Sequence, residues 1–362
     1  MTLLLFVAGL LLLIAGAEFL VRGASRIAVA VGISPLVVGL TVVALGTSSP
    51  EIAVSLMAAF KGQGDLAMGN VVGSNIFNIL LVLGACAVFA PLVVAQKLVR
   101  FDVPVLIGAS VALILLGWDG RVDWLDGAML FIGLVAYNLF VIRQSRRETK
   151  RIKKEYEKEY GAPSEDEAHR TGALLRSILL VIVGFAMLTV GSRFLIDGAV
   201  AIATWLGMSQ LVIGLTIVAA GTGLPEAATS IVAAIRGQRD MAVGNVVGSN
   251  IYNILGVMGL AGMISPDGVP VAESAFRFDL PVALACAVAC LPVFFNGYRI
   301  ARWEGAMFLA YYAAYVSFLI LDATAATALT SFTNVMAGFV IPLTAVTLVV
   351  VTWRQWKHRQ KP

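Results

Sequence analysis

The sequence has very little charge and almost no histidine. Only 13% of its 362 residues are charged and 59% are hydrophobic, whereas about 25% of residues are charged in an average soluble domain. This composition excludes an ordinary soluble protein and predicts an integral membrane protein. Both histidines, His169 and His358, lie in charged segments, so the chain has almost no material for a histidine-ligated transition-metal site. A bound metal ion would have to be held by oxygen atoms.

Cysteine is scarce as well. The three cysteines, Cys86, Cys286 and Cys290, lie inside apolar runs, where cysteine behaves as a small hydrophobic residue. They imply no disulfide framework. The apolar run at the N-terminus lacks the basic leading region of a signal peptide, so we interpret it as a permanent first span.

Uncharged runs, by contrast, are abundant and predict eleven transmembrane helices. A helix needs roughly 20 mostly apolar residues to cross a bilayer, and charged residues at the ends of shorter runs can snorkel to the interface. We therefore predict an all-α integral membrane protein. The runs cover residues 2–17, 27–50, 66–96, 103–118, 127–142, 177–192, 198–225, 241–266, 280–298, 305–321 and 323–353.

Lysine and arginine are distributed unevenly between the two sides of the predicted membrane. With eleven spans and the N-terminus outside, only Lys61, Arg121, Arg193 and Arg277 face outward, and the other 22 of the 26 face inward. Because positive charge near span ends stays on the cytoplasmic side, this bias predicts a cytoplasmic linker and tail in a plasma or inner membrane. Basic clusters interleaved with exposed aromatics are missing, so nucleic-acid binding is not predicted.

The chain is an internal duplication. Residues 34–84 align without a gap on residues 209–259, and GNVVGSNIFNIL matches GNVVGSNIYNIL in 11 of 12 positions. Each half holds five spans, an odd number, so the second half enters the membrane from the opposite side. Such inverted repeats are typical of secondary transporters, whose sites lie near the bilayer midplane on broken helices. The predicted units are a first five-helix repeat (1–142), a charged cytoplasmic linker (143–172), a second five-helix repeat (173–321) and an extra helix with a basic tail (322–362).

Each half also places a proline and a glutamate inside an apolar run, as GTSSPEIAVS at 46–55 and GTGLPEAATS at 221–230. Polar residues around them recur every four positions, which places them on one helical face. Four oxygen-rich faces are therefore expected to meet on the pseudo-symmetry axis. The polar stripes are Thr47, Glu51 and Ser55; Asn70, Ser74 and Asn78; Thr222, Glu226 and Ser230; and Asn245, Ser249 and Asn253.

The prolines predict a broken helix in each half. Pro50 has no N–H for the carbonyl of Gly46, and its ring opens the helix there; Pro225 does the same to Gly221. Irregular backbone at membrane depth is tolerated only where protein or a water-filled cavity meets it. Carbonyls, hydroxyls, amide oxygens and carboxylates are hard ligands suited to sodium and calcium.

Glu51 and Glu226 each need a positive partner. An ionised side chain at the bilayer centre costs about 2.5 to 3.5 kcal/mol, and no lysine or arginine lies at comparable depth in the same spans. The predicted partner is a bound cation or a proton. Two carboxylates balance one calcium ion or two sodium ions, and this equivalence is a physical basis for exchange.

A purely structural interpretation suits some of these residues. The glycines of Gly69–Gly73 and Gly244–Gly248 are typical of close helix packing, and Asn70 and Asn245 fit either a site or a scaffold. Packing alone does not require a carboxylate behind a proline in both halves. The glutamates are therefore the strongest candidates for a site.

At these residues the chain resembles the calcium/cation antiporter superfamily, and most closely its prokaryotic sodium/calcium exchanger branch. The paired motifs carry the resemblance, which spans about residues 10–321. It implies a secondary antiporter that exchanges sodium for calcium, with these ions as substrates, no enzymatic activity, no cofactor and no obligatory protein partner. It also implies Glu51 and Glu226 as central calcium ligands and the carbonyls of Ala44 and Ala219 as sodium ligands. The assisting ligands would be Thr47, Ser48, Ser74, Asn78, Thr222, Ser249 and Asn253.

The chain departs from the family pattern at three places. Gly223 stands where the family often has serine, which removes a hydroxyl from a sodium site, and Asn253 stands where potassium-dependent members have aspartate. An eleventh span is absent from the usual ten-span plan. The broken helix in each half favours alternating access, for which we expect the first and sixth spans, which are poorest in midplane polar residues, to move across a fixed site.

Two alternatives remain at this point. A calcium/proton antiporter of the same fold would use a proton in place of sodium. The GQGD segment at 62–65 superficially resembles intramembrane aspartyl proteases, which need two aspartates in one site. The repeat partner of Asp65 is Asp240, and inverted topology puts these at opposite membrane faces, so a dyad is not expected.

Overall fold

The computed structural model describes residues 2–31, 33–160, 167–207, 219–295 and 297–347, and these are almost entirely helical. The first half holds α1 (Thr2–Val31), α2a (Leu36–Thr47), α2b (Ser49–Phe60), α3 (Gly64–Phe89), α4 (Leu98–Asp119) and α5 (Trp124–Tyr160). The second half holds α6 (Glu167–Trp205), α7 (Leu224–Ile235), α8 (Arg239–Ile264), α9 (Ala275–Phe295) and α10 (Arg302–Ala323), and α11 (Ala328–Thr347) follows.

The helices account for the predicted spans within the described residues. Nine of them are long and apolar enough to cross a membrane, and α2a with α2b, bent by 48°, makes a tenth. α11 is 20 residues long and is the candidate for the extra span. The predicted seventh span falls partly on residues 208–218, and the linker and tail partly on 161–166 and 348–362, which lie outside the described residues.

The boundaries of two predicted spans were wrong. The run at 198–225 was assigned to the seventh span, but residues up to Trp205 continue α6, and residues 27–31 likewise belong to α1 rather than to the second span. In both places charged residues interrupt the apolar run without ending the helix. Glu18 and Arg22 are four residues apart, so they lie on one face and pair there.

Two small sheets join the halves to each other. The strand Leu92–Val93 pairs antiparallel with Arg299–Ile300, and Arg121–Val122 pairs antiparallel with Val269–Pro270. The first sheet therefore links the α3–α4 loop to the α9–α10 loop, and the second links the α4–α5 loop to the α8–α9 loop. α3 and α8 are the most deeply buried of the described spans, whereas α11 lies at the periphery of the helix bundle.

Glycines bring α1 and α6 into backbone contact. Gly9, Gly16 and Gly23 of α1 are seven residues apart, and so are their repeat counterparts in α6. A Cβ atom on Gly16 would lie 2.9 Å from the carbonyl oxygen of Gly184, and one on Gly184 would lie 2.8 Å from that of Gly16. Small residues allow this approach, so α1 and α6 form one tightly packed antiparallel pair.

Candidate cation-binding site

The helix breaks lie where the prolines predicted them. α2a ends at Thr47 and α2b begins at Ser49, and Ser48 between them has φ −77° and ψ 7°. Gly223 has nearly the same conformation, with φ −81° and ψ 1°. Each proline lies at the start of the segment after the break, a position where its missing N–H costs little.

Both glutamates lie in the first turn after a break and are fully buried. The N-terminus of a helix carries partial positive charge, which favours a carboxylate there. The Ser48 hydroxyl, in the first-half break, donates to Oε1 of Glu226 at 3.0 Å. Ser48 lies three residues before Glu51, so this bond places the Glu226 carboxyl beside the turn that holds Glu51. The inverted halves thus bring Glu51 and Glu226 together inside the protein and away from lipid.

Many oxygens of the predicted ligands are buried without a hydrogen-bond partner among the described residues. Leaving such a group unpaired costs roughly 1 to 3 kcal/mol, so several together indicate a site for another species. Calcium takes 6 to 8 oxygen ligands, and the donor set fits such a cation. The atoms are Oε1 and Oε2 of Glu51, Oε2 of Glu226, Oδ1 of Asn78, Oδ1 of Asn253 and Oγ of Ser249.

The threonines of the stripes form a symmetric pair across the two halves. The Thr47 hydroxyl lies 3.2 Å from Oδ1 of Asn245, and the Thr222 hydroxyl lies 3.3 Å from Oδ1 of Asn70. As donors in these bonds, both hydroxyls keep lone pairs for a cation. Ser74 is buried like Ser249.

Asn70 and Asn245 have both ends of their amides engaged. The Nδ2 atom of Asn70 donates to the Ser55 hydroxyl at 2.9 Å, and that of Asn245 donates to the Ser230 hydroxyl at 2.9 Å. Their Oδ1 atoms accept from the threonines. Of the two roles left open by the sequence, these contacts favour the scaffold.

Of the two carbonyls expected to bind sodium, the structure describes the surroundings of Ala44 more fully than those of Ala219. The Ala44 carbonyl accepts from the Ser48 N–H at 3.0 Å and lies 3.4 Å from the Thr47 hydroxyl. Ala219 begins the short helix Ala219–Gly221, directly after the residues outside the described part. The Ala44 carbonyl would have to exchange the weaker of these bonds for a cation.

The repeats differ where Ser48 and Gly223 correspond. A Cβ atom on Gly223 would lie 2.6 Å from Cδ1 and from Cε1 of Phe77, so the Phe77 ring fills the space that a serine would need. Glu226 accepts a bond from Ser48, but both carboxyl oxygens of Glu51 are without a partner among the described residues. The two acids are therefore not equivalent.

Two buried asparagines beside the stripes were missed by the sequence analysis. Asn75 and Asn250 precede the ligand candidates Asn78 and Asn253 by three residues and bond to one another's backbone and to those amides. The signal available in the sequence was their identity in both copies of GSNI. Among the described residues no group of three or more His, Cys, Asp or Glu is arranged to hold a metal ion, so the candidate site depends on amides and hydroxyls as well as carboxylates.

Comparison with known proteins assigns the class. The family model for sodium/calcium exchanger proteins matches residues 1–143 and 176–321. The chain belongs to the sodium/calcium exchanger family, whose members are ion transporters rather than enzymes, carry ions as substrates and use no cofactor. The predicted resemblance is thereby confirmed.

Individual relatives agree with this assignment. Sodium/calcium exchanger MaX1 of Methanosarcina acetivorans is 30% identical over 318 residues, which cover 80% of this chain and 90% of the relative. Inner membrane protein YrbG of Escherichia coli is 37% identical over 261 residues, which cover 72% of this chain and 79% of YrbG.

A solved structure confirms the predicted fold. The sodium/calcium exchanger from Methanococcus jannaschii matches with a TM-score of 0.73 at 32% identity, covering 87% of this chain and 97% of that chain. The chain is thus a helical membrane protein with the exchanger fold.

Proposed function

We propose that this protein exchanges sodium for calcium across the membrane by alternating access. The observation that carries the proposal is the set of buried oxygens around Glu51 and Glu226 that have no partner among the residues the structure describes. A proton would satisfy only a carboxylate oxygen, whereas the amide oxygens of Asn78 and Asn253 call for a cation or a further donor. The relative MaX1, named a sodium/calcium exchanger, supports the same choice of ions.

The proposed ligand set follows the residues that the sequence singled out. Glu51 and Glu226 would be the central ligands, because together they can neutralise either one calcium ion or two sodium ions. Binding of either load would leave the site without net charge. The assisting ligands would be Thr47, Ser48, Ser74, Asn78, Thr222, Ser249 and Asn253, with the carbonyls of Ala44 and Ala219 for sodium.

Movement is assigned to α1 and α6. Their backbone contact at Gly16 and Gly184 means that neither helix can slide without the other. α1 packs along α7, and α6 contacts the end of α2a and the start of α7, so the pair covers both broken helices. A cross-link between this pair and the core should stop exchange while sparing calcium binding; transport by the cross-linked protein would contradict the proposal.

We propose that the protein lies in a plasma or inner membrane with its N-terminus outside. The linker and the C-terminal tail then lie in the cytoplasm. The two small sheets support the alternation of the spans, which this orientation shares with its inverse. Each pairs loops, at Leu92 with Ile300 and at Arg121 with Pro270, that eleven alternating spans put on one face.

A calcium/proton antiporter is the second candidate. Glu51 favours it, because neither of its carboxyl oxygens has a hydrogen-bond partner in the described part of the chain, and one could carry a proton. The charge argument holds equally for two protons and two sodium ions. The counter-ion therefore has to be measured.

The deciding experiment is calcium uptake into proteoliposomes containing the purified protein. With sodium loaded inside, none outside and equal pH on both sides, we expect rapid uptake that a potassium-loaded vesicle does not show. Uptake driven only by a proton gradient would establish the second candidate. Vesicles that contain the E226Q variant measure the calcium that leaks in without exchange.

A further inference from the structure

Four buried asparagines form a cluster where the halves meet, here called the amide cluster: Asn75 and Asn78 from α3, and Asn250 and Asn253 from α8. The Nδ2 atom of Asn253 donates to Oδ1 of Asn75 at 3.1 Å. The Nδ2 atom of Asn78 donates to Oδ1 of Asn250, also at 3.1 Å. The cluster thus crosses the pseudo-symmetry axis with the same contacts in both directions.

Two backbone carbonyls determine which way every amide in the cluster points. The Nδ2 atom of Asn75 donates to the carbonyl of Asn250 at 3.4 Å, and that of Asn250 donates to the carbonyl of Asn75 at 3.3 Å. A carbonyl can only accept, so each of these asparagines must turn its nitrogen to the backbone. Its Oδ1 atom then faces the neighbouring amide.

This orientation passes on to the ligand candidates. Oδ1 of Asn75 can only accept, so Asn253 must present its nitrogen there and turn its oxygen the other way. In the same way, Oδ1 of Asn250 can only accept, so Asn78 must present its nitrogen there and turn its oxygen the other way. The oxygens turned away, Oδ1 of Asn78 and Oδ1 of Asn253, are both buried without a partner among the described residues.

We infer that Asn75 and Asn250 are positioning residues that force Asn78 and Asn253 to present oxygen, never nitrogen, to the transported cation. They are not ligands themselves, because their own oxygens already accept a bond from the neighbouring amide. An unfixed amide could rotate and expose its positively polarised NH₂ group, which repels a cation. The interaction of an amide dipole with a divalent ion is twice that with a monovalent ion at the same distance, so calcium depends on this orientation more than sodium does.

The inference rests on the proposed site and explains one departure from the family pattern. An ionised aspartate at position 253 would place an acceptor against Oδ1 of Asn75. The amide cluster of this chain is therefore matched to asparagine at 253. With asparagine at position 253, the two glutamates are the acids of the proposed site.

The test is calcium binding and transport by N75L, N253A and the double variant N75L/N253A, each purified and checked for a single size-exclusion peak. For N75L we expect the apparent KM for calcium to rise about tenfold and that for sodium less, with maximal rate per folded protein within about threefold. If Asn75 acts only through Asn253, N75L should add nothing in the N253A background. A purely structural role would lower the maximal rate and leave KM unchanged.

Two controls keep the result interpretable. N138L removes another part-buried amide, which bonds to Tyr252 outside the cluster, and it should leave the KM for calcium unchanged. If N75L does not fold, N250L and N78A repeat the cycle in the mirror position. An unchanged KM in N75L, or effects of N75L and N253A that multiply, would overturn the inference. Calcium binding to wild type, lost in E51Q, would still stand in that case, so the proposed function is tested separately.

Discussion

The two halves of this exchanger agree at the acids and amides and differ beside them. Glu51 and Glu226 lie in equivalent turns, and Asn75 and Asn250 make equivalent bonds across the axis. At the helix break, however, the first half has a hydroxyl that bonds to Glu226, and the second half has Gly223 against the Phe77 ring. The duplicated candidate site therefore keeps its charges and its amide geometry symmetric, whereas its hydroxyl groups differ between the two halves.

A second difference lies in the charged residues of α1 and α6. Glu18 of α1 makes a two-point ion pair with Arg236 after α7, at 2.9 Å from both Nε and Nη2. In the repeat, Arg193 stands at the place of Glu18, Asp197 at that of Arg22 and Lys61 at that of Arg236. The acid and the base on the helix have changed places. The ion pair that holds α1 to α7 therefore has no equivalent at the same position in the other half.

The largest expected effect tests what the halves share. E51Q and E226Q each remove one carboxylate from a site that needs two to balance calcium, and each should abolish calcium transport, by about 100-fold or more, since an uncompensated divalent charge in a buried site costs several kcal/mol. D267N, which changes an exposed acid, is the matched control. Flux in proteoliposomes measures transport, and a thermal denaturation curve in detergent checks that each variant is folded. Normal exchange by either glutamine variant would refute the ligand assignment.

Much of the fold could be predicted because the duplication and the apolar runs are both local signals. The positions of the breaks followed from Pro50 and Pro225, and the prediction of the exchanger fold is confirmed. The ends of α1 and α6 could not be found from charge alone. An acid and a base four residues apart look like a loop in a count of uncharged residues, but they share one helix face and leave the helix intact.

The site residues were found on the stripes, whereas the contacts that orient them were not. Asn75 lies one position off its stripe, and its partners are 175 and 178 residues away in the chain. No spacing rule within one helix shows such a contact. The role of Gly223 as a neighbour of Phe77 was equally hidden, because it depends on how the two copies pack together. Sequence periodicity therefore identifies the candidate ligands, and the fold supplies what holds them.

An intermediate effect is expected when the hydroxyl is restored to the second half. G223S alone should lower the thermal midpoint, because overpacking a buried position costs about 1 to 3 kcal/mol and the Phe77 ring occupies the space. G223S combined with F77A has room for the side chain. Its hydroxyl oxygen can then add a ligand for a sodium ion beside Glu51, and the apparent affinity for sodium should rise about tenfold, which corresponds to about 1.4 kcal/mol.

The control for this experiment is F77A alone, which removes the ring without adding a hydroxyl. Sodium-dependent calcium release from loaded vesicles gives the sodium affinity of all three variants. Equal sodium affinities of F77A and the double variant would show that the hydroxyl position does not contribute to sodium binding.

The smallest effect should come from the ion pair between Glu18 of α1 and Arg236. Arg236 is 56% exposed and Glu18 is 17% exposed, and pairs near the surface contribute about 0 to 1 kcal/mol. E18Q keeps the shape and removes the charge, so it should shift the balance between the two access states by at most about fivefold. The ratio of the apparent calcium KM values measured from the two sides of the membrane reports this balance.

The exchange of acid and base in the other half offers a sharper version of the same measurement. The double variant R193E/D197R leaves the net charge unchanged and gives α6 the charge order of Glu18 and Arg22, so that a carboxylate can approach Lys61 as Glu18 approaches Arg236. It should shift the KM ratio in the same direction as E18Q, because it stabilises the state in which the other side is closed, whereas E18Q destabilises the state that contains the Glu18–Arg236 pair. R236Q should shift the ratio as E18Q does, and combining E18Q with R236Q should add little, since both remove one interaction. A shift of R193E/D197R in the direction opposite to E18Q would mean that these charges do not set the balance between the two states.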